Sequence, residues 1–361
     1  MGVMLGTAMP SAKRTTRVAV LAGLLFVAAL LAMAIPARPA TPTPSPSDSA
    51  SEFRAGESVP LASDEVLIGA YVQNIQSIDP STNSFMADLY IWYRWTDPDL
   101  KPYDTVEIMN LHEAWQLMEL GTQTEPRNQA DGSYYFVQRY TGAFNSPLSL
   151  VKFPFGTQKL SVILEDGEAE KAEMRFVADD RSTSINPRIT LPGYTIGAPT
   201  MVVTDFAYDT DFGDLDGTTD NLYSQASITI PVSTPGLSNL IKYLVPIVLI
   251  VVAASLVFYL PPTEVEGRIA LGITALLTLV AMEWSATESL PTAAYLTMLD
   301  VLYIVGTLFI LASLILGIRT AWIARESSEE TAIHSDERML YVFLGAFAVA
   351  FGVVLGAYLM A

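Results

Sequence analysis

Along residues 60–235 apolar and polar positions alternate in short stretches; beyond residue 238 the alternation gives way to long apolar runs. GAYVQNI, FMADLYIWYRW, YYFVQRY, KLSVIL, TMVVTDFAY and SQASITI read as strands, with IDPSTN, DPDLKP, ADGS and DFGDLDG as the turns between them. Many short strands without a long helical period predict an all-β sandwich. The later runs each reach the roughly 20 apolar residues that a membrane-spanning helix needs. Helices are expected at about 238–260, 264–287, 293–319 and 338–361, a four-helix transmembrane bundle.

The start of the chain reads differently. Lys13, Arg14 and Arg17 precede VAVLAGLLFVAALLAMA, so residues 1–40 read as an export signal peptide. Residues 41–59 are a Pro/Ser/Thr-rich linker with nothing to bury. An extracellular sandwich is then expected at 60–237 and the transmembrane domain at 238–361. Arg319, Arg325 and Arg338 fall on the cytoplasmic side, in keeping with the positive-inside rule.

Within the second span, Glu266, Ala270, Thr274, Leu277, Ala281, Trp284 and Glu288 share an arc of roughly 80° at about 100° per residue. Acid, small, polar, large apolar, small, aromatic, acid: such a stripe suits a surface that lines water. Packing within a single bundle is the alternative, since small residues and threonines serve that as well. If the stripe lines a pore, Leu277 forms an apolar constriction and Glu266 a ring that attracts cations. Arg268 lies roughly 160° round the helix from the stripe.

Composition narrows the chemistry. A formal net charge of −18 argues against nucleic acid as a partner and favours cations. With no cysteine there is no disulfide or thiolate site, and His112 and His334 lie in no metal-binding motif. No nucleophile elbow or phosphate loop stands out, so the chain does not read as an enzyme and implies no cofactor.

At these residues the chain resembles the pentameric ligand-gated ion channels, the Cys-loop receptor superfamily, in their prokaryotic form. GRIALGITALLTL resembles the family's pore helix, LPTAAYLTMLD the link into its third helix, and Pro246 a proline of its first. FPFGTQKL at 153–160 resembles the signature loop, with Ser146 and Leu160 at its two cysteine positions. Trp95-Thr96-Asp97 resembles the W-x-D motif, and Trp115 a tryptophan before the first binding loop. The resemblance covers residues 60–361. It implies a homopentameric channel of a bacterial inner membrane, in contact with membrane lipid, with the N-terminal domain outside. Glu266-Gly267 stands where anion-selective members have Pro-Ala, implying passage of monovalent cations. An anion channel governed by Arg268, and a non-conducting anchored solute receptor, are the rival readings.

The family's aspartate after FPF is Gly156 here and its arginine before the first span is about Thr234. Coupling between the domains is therefore expected through Asp79, Phe153, Pro154, Phe155, Leu290 and Pro291. Tyr90, Tyr208, Phe212 and Tyr223 are candidates for an aromatic ligand cage. The family's second-loop tryptophan is replaced near Gly167, which disfavours acetylcholine-like ligands. Asp209, Asp211, Asp214 and Asp216 alternate with glycine in the capping loop and could hold calcium as a modulator, or form only a solvated acidic loop. Candidate agonists are thus a small cationic ligand, calcium or protons.

Overall fold

The computed structural model describes residues 60–121, 123–179, 183–210, 221–288, 290, 295–326 and 328–360. The expected signal peptide and linker, Asp211, Phe212, Asp214, Asp216 and Pro291 lie outside these described residues. The chain divides into two compact units: a β unit reaching to Thr234, and a helical unit from Pro235 that also takes in Leu150–Gly156.

Twelve strands build the β unit: β1 Glu65–Asp79, β2 Ser84–Trp95, β3 Val106–Ile108, β4 Met118–Glu119, β5 Arg127–Asn128, β6 Tyr134–Asn145, β7 Thr157–Asp166, β8 Arg175–Ala178, β9 Ser184–Ile185, β10 Thr195–Ile196, β11 Thr200–Tyr208 and β12 Asn221–Ser233. One sheet has the order β4-β6-β2-β1-β8, with β5 on β6 and β9 on β1; the other runs β10-β12-β7-β3, with β11 on β12. Period-two alternation gives each sheet an apolar face. Phe85, Leu89, Ile91, Tyr93 and Trp95 of β2 are buried with Leu160, Val162 and Leu164 of β7 and Ile228, Ile230 and Val232 of β12. Tyr90, Val137 and Arg139 take the opposite parity and lie on the outer face of the first sheet.

Of the two positions at which the resemblance places cysteines, Ser146 is hydrogen-bonded to the two neighbours of the other, Leu160. The buried Ser146 hydroxyl donates to the Lys159 carbonyl at 2.9 Å and accepts from the Ser161 amide at 3.3 Å, so it clasps β7 on either side of Leu160. Ser146→Ala orphans both backbone groups and should cost about 1–3 kcal/mol. Thermal unfolding of the purified chain measures it, and an unchanged midpoint would dismiss the clasp.

In the helical unit, four helices are long and apolar enough to cross a membrane: α1 Gly236–Phe258, α2 Val265–Thr287, α3 Met298–Glu326 and α4 Glu329–Met360. Leu240–Leu244 of α1 is a widened π-helical turn just before Pro246, whose missing N–H cannot continue the regular ladder. The last two helices run past the ends that hydropathy suggested, near 319 and 338. Arg325 lies in the last turn of α3 and Glu329 and Glu330 in the first turn of α4, charges that suit the helix dipoles. Ser328 caps α4 by accepting the Thr331 amide. The cytoplasmic loop expected at 319–338 is thus almost wholly helical.

Small residues bring the helices together. A Cβ at Gly272 would lie 2.9 Å from Leu314 Cδ1, so glycine lets α2 and α3 approach without displacing that leucine. Phe258 of α1, Phe309 of α3 and Phe343 and Phe347 of α4 interlock edge-on, with centroids 5.3–5.7 Å apart.

Candidate pore helix and ligand-binding faces

The helix α2 is sharply two-sided. Arg268, Gly272, Ala275 and Leu279, which share one face at helical spacing, are buried in the bundle. Glu266, Ala270, Thr274, Leu277, Ala281, Trp284 and Glu288 are all exposed within the chain, Leu277 at 65% and Trp284 at 75%. A 65%-exposed leucine in mid-helix marks a surface that faces lipid, water or another copy.

The threonines of α2 add a polarity to that surface. Thr274 Oγ1 donates to the Ala270 carbonyl and Thr278 Oγ1 to the Thr274 carbonyl, each at 2.7 Å. With its proton committed to the backbone, each hydroxyl keeps only acceptor capacity on the open side. That is the donor-poor lining a cation prefers.

Arg268 has no part in the exposed face. Its guanidinium is 1% exposed and donates from Nε to Pro261 O at 3.2 Å, and from Nη1 to Gly317 O at 3.1 Å and Thr320 Oγ1 at 2.7 Å. Nη2 donates to Leu260 O and to Asp336 Oδ2 of α4. All five N–H groups are used, and the charge is neutralised by Asp336. Its partner lies in the same bundle, so the guanidinium is held away from the exposed stripe where an anion channel governed by Arg268 would need it.

At the opposite end of α3, the loop Leu150–Gly156 is held by the helices. The Tyr295 hydroxyl accepts the Leu150 amide at 3.0 Å, the Met298 amide donates to Val151 O at 2.9 Å, and Asn239 Nδ2 donates to Pro154 O at 2.5 Å. Phe153 meets Tyr243 edge-on at 5.4 Å, and Phe153 and Phe155 both pack against the helical core. Three of the expected coupling residues are therefore brought together. Gly156 sits at φ +111°, a conformation that an aspartate would adopt only under strain. Asp79 belongs to the β unit, where it closes its own turn on Ser81. Leu290 is half-buried just past α2.

The β unit offers two chemically opposite faces. On β11 and β12, Phe206, Tyr208 and Tyr223 stack edge-on with centroids 4.8 and 5.6 Å apart. The Tyr208 hydroxyl donates to Glu165 Oε1 at 2.8 Å, and Gln225 Nε2 holds the other oxygen at 3.1 Å. Burial first, and then the Glu165 carboxylate, push the Tyr208 hydroxyl up to about 12, so it stays a donor at physiological pH. Glu165 itself is buried, and no residue-type pattern in EDGEAE distinguishes it from its exposed neighbours.

On the outer face of β2 and β6 a cavity of about 470 Å³ is lined by Tyr90, Leu120, Gln123, Arg127, Val137 and Arg139. Arg139 grips buried Asp88 through Nε at 2.8 Å and Nη2 at 2.5 Å, and its guanidinium lies 5.4 Å from the Tyr90 ring centre. Arg127 stacks on Tyr135 at 5.3 Å. The Tyr90 ring is thus already faced by the Arg139 guanidinium, itself paired with Asp88, and the exposed Arg127 forms no ion pair among the described residues. Tyr90 is also on the other sheet from Tyr208 and Tyr223.

The acidic capping loop is represented by its edges. Asp209 is exposed and Asp205 pairs with Lys171 at 2.5 Å. Among the described residues no group of three carboxylates or histidines is placed to hold a metal ion.

Residues 243–338 match the family model of the neurotransmitter-gated ion-channel transmembrane region. The chain is 22% identical over 297 residues to pH-sensitive chloride channel 2 of Anopheles gambiae, which covers 75% of this chain and 48% of that protein. It is 24% identical over 272 residues to the human glycine receptor subunit beta, 70% of this chain and 53% of the receptor subunit. It is likewise 24% identical over 265 residues to the human gamma-aminobutyric acid receptor subunit gamma-3, 68% and 55% of the two chains. The chain spans about half the length of the curated relatives it matches. A β-sandwich followed by four apolar helices fits the Cys-loop channel fold, and residues 243–338 match the transmembrane region of the neurotransmitter-gated ion channels.

Proposed function

We propose that this chain is the subunit of a homopentameric, ligand-gated, cation-selective channel whose pore is lined by α2. The observation that carries the reading is the sidedness of α2: seven polar, small and bulky residues lie in one exposed stripe, and the helix's own arginine is turned inward and neutralised. A mere anchor needs no such register. Five copies would place Glu266 as a ring of carboxylates at one mouth, Thr274 acceptors along the wall and Leu277 as the apolar gate that opens by hydration.

The ligand is proposed to lie between neighbouring sandwiches and to carry both charges. Arg127 suits a carboxylate, since Arg139 is already paired with Asp88, and Glu165 with the Tyr208–Tyr223 pair suits an ammonium. The relatives named for glycine and gamma-aminobutyric acid support this chemistry, since both are amino acids. Ligand binding would act on the pore through Leu150–Gly156, continuous with β6 and β7 and hydrogen-bonded to α1 and α3. Arg127→Gln should raise the amino-acid concentration for half-activation about tenfold, the value of one charge-assisted hydrogen bond; an unchanged concentration would remove the cavity from the reading.

The rival is an anion channel, favoured by the relative named as a chloride channel. The zero-current potential of the reconstituted chain across a potassium chloride gradient decides between them. A value near the potassium potential supports the proposal, and one near the chloride potential overturns its selectivity.

A further inference from the structure

The outward face of α3 carries a pattern that the pore does not use. Ile304, Leu308, Leu311 and Ile315 are all exposed, and at about 100° per residue they lie within about 40° of one line along the helix. Arg319 and Trp322 continue that line, and Arg325 flanks it one turn further on. Trp322 is 65% exposed, and the exposed Arg319 and Arg325 form no ion pair among the described residues. This is the end of α3 remote from Val151, which meets its first turn.

The depth is set by Arg268. Its guanidinium binds Thr320 and Asp336 together, so Arg319 and the exposed Arg338 leave the bundle at nearly the same level. A chain with 38 acidic and 20 basic residues thus brings three exposed guanidiniums to one end of its helices, where Glu326, Glu329, Glu330 and Glu337 of α3 and α4 and Glu264 and Glu266 at the start of α2 also lie. Indole prefers the level of lipid headgroups, and guanidinium binds phosphate oxygens in pairs.

We propose that Arg319, Trp322 and Arg325 form a site for an anionic phospholipid on the outer face of α3. The phosphate rests on the two guanidiniums, Trp322 lies at the glycerol level, and an acyl chain follows Ile315, Leu311 and Leu308. Each basic residue near an anionic surface favours it about fivefold.

The test uses the full chain reconstituted in phosphatidylcholine vesicles with rising fractions of brominated phosphatidylglycerol or brominated phosphatidylcholine. Bromine quenches nearby indole emission, and subtraction of Trp322→Phe isolates the Trp322 share. Half-quenching should need about 25-fold less phosphatidylglycerol than phosphatidylcholine, about fivefold for each of Arg319 and Arg325. Arg319→Gln combined with Arg325→Gln should bring the two lipids to parity while the emission maximum and elution volume stay put. Equal quenching in the unmodified chain, or a preference that survives the double substitution, overturns the site. Absence of quenching by either lipid also overturns it, because Trp322 would then be covered by another copy. No ion current is read, so this outcome is independent of the channel proposal.

Discussion

Replacing Glu266 with alanine should move the zero-current potential from near that of potassium to near zero. A cation about 6 Å from each of five carboxylates in water gains about 0.7 kcal/mol from each, or about 3.5 kcal/mol together. Screening with a Debye length of about 8 Å halves this. What remains, about 1.5 kcal/mol, enriches cations about tenfold and depletes anions by the same factor, about a hundredfold preference. Glu266 alone bears the prediction because Arg268, two residues on, is sealed in the bundle and gives no opposing charge to the pore. Reversal potentials of the two forms under one salt gradient measure the change. Selectivity that persists in the alanine form would move the filter elsewhere.

Breaking the Arg268–Asp336 pair from one side should be the most damaging single change in the helical unit. Asp336→Leu leaves a buried guanidinium without its counter-ion, and Arg268→Met leaves a buried carboxylate; each should cost about 3–5 kcal/mol. The double variant Arg268→Met/Asp336→Leu should lose less than the two single losses added together, since neither charge is then stranded. It does not regain full stability, because the carbonyls of Leu260, Pro261 and Gly317 lose their donor. Denaturation midpoints of the four forms in one detergent give the cycle. Strictly additive losses would mean that the two charges do not act as a pair. The same pair ties the first turn of α2 to α4, so the single variants should also alter the ease of channel opening.

The stripe on α2 was legible because helical periodicity is local: seven positions within about two dozen residues declare one face without reference to anything else. The partner of Arg268 was not legible, for Asp336 stands 68 residues away and is met only once three helices have packed. The cavity on the first sheet stayed hidden for a related reason. Tyr90 and Arg139 are directly opposed in the β2–β6 register, and that register appears only when the strands are paired. Alternation did offer a clue, since YYFVQRY places its arginine on the outward parity with Val137. The ends of α3 and α4 were missed because mean hydropathy measures bilayer depth, whereas charged turns and caps decide where a helix stops. The likeness of FPFGTQKL to a family loop pointed at Phe153, Pro154 and Phe155; their packing against α1 emerges only in the folded chain.

The Ser146 clasp has a practical side. A loop closed by a hydroxyl needs no oxidant to form and no reductant to open, so maturation of this sandwich is indifferent to thiol chemistry. With no cysteine anywhere in its sequence, the chain offers a silent background for single reporter thiols. A cysteine placed at any of the exposed positions of α2 would then be the sole target of a water-borne thiol reagent, and its modification rate would read out directly which turns of the helix are wet.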